Sequence, residues 1–134
     1  MIRGSMPEQS RENTTEQPRQ IGWDVKELLE RLDGDEGFLC ELLVIFREDT
    51  RLNLEKSRKA MAERDFDMLA RAAHTLKGML RNLSMGAAAE AAASLETASR
   101  ENRGSDSKEL LEELEKELEG ILPEVEAQLA GVRS

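Results

Sequence analysis

Apolar and polar positions repeat in helical steps along most of this chain. From residue 24 onward, leucine, alanine and methionine recur every three or four residues, the period of an amphipathic α-helix. Residues 1–20 show no such period. Met1-Ile2-Arg3-Gly4-Ser5 reads as an expression leader. Residues 7–20 hold Pro, Gln, Glu, Ser, Thr, Asn and Arg without a large apolar residue, the composition of a disordered linker. The pattern therefore predicts one folded domain over residues 21–132, joined by the linker to something larger.

Five helices are expected. Asp24, with Glu27 three residues on, forms capping-box spacing ahead of a short helix at 25–32 with Val25, Leu28, Leu29 and Leu32 on one face. Asp33-Gly34-Asp35 ends it and caps a long helix at 36–63. That helix faces inward through Leu39, Leu42, Leu43, Phe46, Leu54 and Met61, with Asn53 and Ser57 where leucines would fit. Arg64-Asp65 breaks the chain, and Asp65 caps a third helix that ends near Ser84-Met85-Gly86. An alanine-rich helix follows at 87–102, where Ala88, Ala91, Ala92 and Ala98 permit close approach to its neighbours. After the turn at Asn102–Ser105, Asp106 and Glu109 again have capping-box spacing. Leu111, Leu114, Leu118, Leu122, Val125 and Leu129 then mark a fifth helix, with Pro123 expected to bend it. Short connections make consecutive helices antiparallel. The fold class is all-α: an up-down four-helix bundle with an additional short N-terminal helix across one end.

Composition sharpens this picture. The 134 residues are 39% hydrophobic and 35% charged, with three Phe, one Trp and no Tyr, so the core is built of Leu, Ala and Met. A net charge of −9 argues against nucleic-acid or anionic-membrane contact. No apolar run approaches the roughly 20 residues of a membrane span. The single Cys40 excludes an intramolecular disulfide; flanked by Phe38, Leu39, Leu42 and Leu43, it reads as a small buried hydrophobe in a reducing, cytoplasmic setting. One His and one distant Cys make no metal site, and no phosphate-binding loop is present. A monomer is the simplest oligomeric state.

The third helix holds the one histidine. At about 100° per residue, Leu69, Ala73, Leu76, Leu80 and Leu83 share one side, and His74 falls nearly opposite. Around it lie Asp67, Ala70, Arg71, Lys77, Gly78 and Arg81 on the water-facing stripe. A neutral imidazole is a competent nucleophile toward phosphorus, and an unperturbed one is mostly neutral at pH 7. Cations nearby would hold the phosphoryl group. Lys77, with a solvated side chain, can swing beside the ring. Gly78 leaves room for another protein's active site, and a glycine inside a helix otherwise costs roughly 0.5–1 kcal/mol relative to alanine.

The run Ala73-His74-Thr75-Leu76-Lys77-Gly78, followed by Asn82-Leu83 and Gly86, resembles the histidine-containing phosphotransfer (HPt) domains of bacterial phosphorelays. Phe46, Glu48, Asp49 and the Asp65-Phe66 turn extend the likeness over about residues 24–130. Met79 and Leu80 depart from the small residues usual there, as Asn53 and Ser57 do from leucines. The resemblance implies a passive phosphocarrier without kinase or ATPase activity. His74 accepts a phosphoryl group from a receiver-domain phospho-aspartate and passes it to another receiver. Lys77 pairs with the phosphate, and Asp67, Ala70, Arg71 and Arg81 are docking candidates. The carrier needs no cofactor of its own, because Mg²⁺ belongs to the partner response-regulator receiver. The linker leans toward a hybrid sensor histidine kinase as the parent chain. Two other readings stay open: the phosphoacceptor module of a chemotaxis-type kinase, fed by ATP on another domain, and a structural helical interaction module.

Overall fold

The computed structural model describes residues 23–133; the leader, the linker and Ile21 lie outside the described residues. Among the described residues five helices follow in order: α1 (Val25–Arg31), α2 (Glu36–Ala62), α3 (Phe66–Asn82), α4 (Gly86–Arg100) and α5 (Gly104–Arg133). There is no strand among the described residues. The all-α bundle expected from the periodicity is what forms.

The turns explain the antiparallel layout. Each of the first four helices is followed by a residue in the left-handed region: Asp33 (φ 56°, with Gly34 at 75° after it), Arg64 (φ 55°), Ser84 (φ 60°) and Asn102 (φ 58°). The amide after it reaches back to a carbonyl of the last helical turn, as from Asp65 to Ala60 (2.8 Å) and from Met85 to Leu80 (2.9 Å). This paired closure satisfies carbonyls that a helix end otherwise leaves open. The next helix starts at once, so the chain turns within four residues after α1 and within three after α2, α3 and α4. Asp24, Asp35 and Asp65 cap α1, α2 and α3 by accepting from the amides of Glu27, Phe38 and Met68.

The inward faces close one leucine–alanine core. Leu39, Leu43 and Phe46 of α2 meet Leu69, Leu76 and Leu80 of α3 and Leu114, Leu118, Ile121 and Val125 of α5. Ala88, Ala91, Ala92 and Ala98 are all buried, as close approach of α4 requires. Asn53 and Ser57 do not loosen α2: each side chain donates to the carbonyl four residues back, at 2.9 and 2.8 Å. Trp23 is buried beneath α1, and its indole N–H donates to the Leu83 carbonyl at 2.8 Å. Arg31 adds bonds to the Asn82 carbonyl and the Ser84 hydroxyl. These contacts pin α1 against the α3–α4 turn, at one end of the bundle.

Several expectations are corrected. Helix α5 begins at Gly104, so Asp106 lies inside its first turn and pairs with Arg103 (2.6 Å) rather than serving as the cap. The tight closure of α4 leaves no linker for a later start. Ile121 takes the core position and Leu122 only flanks it. Pro123 does lie inside the helix, as its place in the apolar period implied. Cys40 is half-buried at the margin of the core. Met68 is exposed, whereas Met85 fills the core.

Candidate functional site

His74 stands in the middle of α3 with its side chain 62% exposed. The helix places it there by simple periodicity, since Leu69, Ala73, Leu76 and Leu80 face the core and are fully buried. The ring is nonetheless held. Its Nδ1 lies 3.0 Å from Oε2 of Glu96, which projects from the facing helix α4. Lys77, one turn along α3, places Nζ 2.7 Å from Oε1 of the same carboxylate. Arg100, one turn along α4, donates to Oε2 through Nη2 at 2.6 Å and Nε at 3.2 Å. One carboxylate therefore gathers an imidazole and two cations.

Glu96 is itself nearly buried, with 9% of its side chain exposed. Burial alone would push its carboxyl up. Hydrogen bonds from Lys77, Arg100 and His74 outweigh that cost and lower it to about 2. An ionised carboxylate only accepts hydrogen bonds. The Nδ1 facing it must then carry the ring proton, an assignment made from the hydrogen-bond partner. In the neutral ring the lone pair lies on Nε2. That atom points away from Glu96, on the exposed side of the imidazole.

Gly78 lies one turn beyond His74. A methyl built there would meet nothing within 4 Å, so no neighbouring helix demands a glycine. The space is open to whatever approaches the ring. Arg71 is exposed and tied to Asp67 at 2.7 Å. Arg81 is exposed and makes no ion pair among the described residues. Ala70 is a correction: it is 4% exposed and packs beneath the stripe, because α4 closes over that flank of α3. Lys77 is a second correction. Its side chain is 21% exposed and bound to Glu96, not freely solvated.

Periodicity missed Glu96 by placing the carboxylates on the helix exteriors. Two signals were present. Glu96 shares a face with Ala92, Leu95 and Ser99, all buried. It also stands about as far beyond the Ser84–Met85 turn as His74 stands before it, which puts the two at one level of an antiparallel pair. No group of three or more His, Cys, Asp or Glu suited to a metal ion occurs among the described residues.

A helical bundle that presents one oriented imidazole on its open face, and not in an enclosed cleft, has the make-up of a group carrier. The sequence pattern described as Hpt domain matches residues 41–124, and the chain belongs to that family. Hpt domains are phosphocarriers in two-component signalling and interact with receiver domains. No curated protein and no solved structure matches this chain. None of the described helices is long and apolar enough to cross a membrane.

Proposed function

We propose that His74 is the phosphoacceptor and shuttles a phosphoryl group between aspartates of two receiver domains. The observation that carries this is the bond between Nδ1 and Glu96, which leaves Nε2 as the free nucleophile, with open space at Gly78 one turn along the helix. In the forward step the Nε2 lone pair attacks phosphorus, the phosphorus–oxygen bond to the aspartate breaks, and the carboxylate leaves. No proton need be removed from the ring, because Nδ1 keeps its hydrogen. The product ring is cationic, and the Glu96 carboxylate, in contact with Nδ1–H, stabilises that charge. The same contact fixes the ring's orientation before attack, as second partners of reactive histidines do.

Lys77, one turn along α3 from His74, holds Oε1 of Glu96, and Arg100 of α4 shares Oε2 with the imidazole. They supply positive charge where the phosphoryl oxygens arrive. The chain provides no acidic pocket for Mg²⁺ of its own in this scheme; the metal and the aspartate belong to the receiver. It acts as a carrier and needs no kinase activity.

The test is phosphoryl uptake from receiver domains labelled on aspartate. His74→Gln should take up no label while keeping the helical circular dichroism and melting behaviour of the unaltered chain. Normal uptake by that variant overturns the assignment. The chemotaxis-type alternative predicts instead that labelling requires ATP and a kinase domain, and that phosphorylated receivers leave the chain unlabelled.

A further inference from the structure

The Glu96 carboxylate is shared unevenly between its two oxygens. Oε2 meets Nδ1 of His74 at 3.0 Å and the Nη2 and Nε of Arg100 at 2.6 and 3.2 Å. Oε1 meets Lys77 alone among the described residues, at 2.7 Å. A carboxylate oxygen has room for about two donors, so Oε2 is crowded and Oε1 is not. The Nε contact of Arg100 lies at the long end of the ordinary range.

The two cations also differ in burial. The Lys77 side chain is 21% exposed and that of Arg100 61%. Arg100 is the last residue of α4. If Lys77 left the carboxylate, Oε1 would keep no donor inside a side chain that is 9% exposed, and a buried charged acceptor without a partner is costly. If Arg100 left, Oε2 would keep the imidazole and Oε1 the ammonium. The geometry makes Arg100 the cation that is cheap to release.

We infer that Arg100 is the phosphoryl ligand and exchanges Glu96 for the phosphoryl group during transfer, whereas Lys77 stays on Oε1 as a positioning residue for Glu96. The inference rests on His74 being the phosphoacceptor, and it adds which cation the phosphoryl group meets; the resemblance gives that contact to Lys77. Before transfer the ring is neutral and shares Oε2 with the guanidinium. As the bond from Nε2 to phosphorus forms and the phosphorus–oxygen bond to the aspartate breaks, the ring gains positive charge, and Nδ1–H becomes the stronger donor to Oε2. The displaced guanidinium is already beside the ring, and its forked N–H groups suit phosphoryl oxygens. When the phosphoryl group moves to the next receiver the ring becomes neutral again and Arg100 returns to Glu96. The carboxylate therefore keeps a place for the cation in the unphosphorylated state, and the phosphoryl group is held without being trapped.

The experiment uses the full chain and a panel of receiver domains phosphorylated with acetyl phosphate. Labelling of the unaltered chain on His74 comes first; failure with every receiver overturns the phosphoacceptor reading and this inference with it. Given labelling, Arg100→Ala should slow transfer about tenfold at saturating receiver, with the half-saturating receiver concentration unchanged. It should lower the melting temperature less than Lys77→Ala does. Arg100→Lys, which keeps the charge, should recover part of the rate. Normal transfer by Arg100→Ala overturns the exchange and leaves His74 standing. Side-chain nitrogen NMR of the unaltered chain needs no variant. On phosphorylation the Arg100 guanidinium resonances should shift while the Lys77 ammonium resonance keeps its place. An unmoved Arg100 overturns the inference, and a shifted Lys77 with Arg100 unmoved gives the phosphate back to that lysine.

Discussion

The chemistry of this chain turns on single residues, and Glu96 is the one with the widest reach. Its carboxyl sits at about 2, against an ordinary 4.5. A depressed carboxyl contributes stability above its unfolded value and loses it as the pH falls through the folded value. The contribution is thus whole above pH 4.5, fades between 4.5 and about 2, and is at most about 3 kcal/mol. Urea unfolding of Glu96→Gln and the unaltered chain should show the largest gap at neutral pH and a narrowing one toward pH 2. A gap that does not change with pH would contradict the ion cluster. Gly78 makes a second residue-scale test. Nothing within 4 Å meets an added methyl, so Gly78→Ala should gain about 0.5–1 kcal/mol of stability from helix propensity alone. Phosphotransfer should then fall as the side chain grows through alanine to glutamine, while stability does not. Unchanged transfer by Gly78→Gln would remove the clearance role.

At the scale of elements, helix existence was legible and helix chemistry only partly so. Asp24, Asp35 and Asp65 announced three helix starts because an aspartate before an apolar period has one common use, and each does accept the amide three residues on. Asp106 failed by the same rule. Its turn residue Asn102 already closes α4, so α5 starts two residues ahead of the aspartate. The interhelical bond from Glu96 to His74 was out of reach of periodicity, which places a residue on a face but does not say which side chain it meets. Asp65 gives the element-scale prediction. Asp65→Ala removes the cap of the helix that carries His74 and should cost about 1 kcal/mol in chemical denaturation. Transfer at His74 should be unchanged, since the cap lies more than two turns from the ring. A large loss of transfer with little loss of stability would mean that the start of α3 contacts the partner.

For the whole molecule, composition and apolar spacing carried the architecture because a Leu–Ala core leaves few alternatives to antiparallel helices joined by short turns. The oriented imidazole needs that architecture. Helix α3 supplies His74 and Lys77, α4 supplies Glu96 and Arg100, and the small side chains of α4 let the two helices approach closely enough for the carboxylate to reach the ring. The docking candidates were less legible: Arg71, Arg81 and Asp67 do lie at the surface, while Ala70 is buried against α4. The account's central claim is that Glu96 holds Nδ1–H and leaves Nε2 to take the phosphate. The most direct measurement is nitrogen–phosphorus correlation NMR on the full chain, labelled with ¹⁵N in its one histidine and phosphorylated by a receiver. The account predicts coupling of phosphorus to Nε2 of His74, with Nδ1 still protonated. Coupling to Nδ1, or phosphate on any other residue, would contradict it.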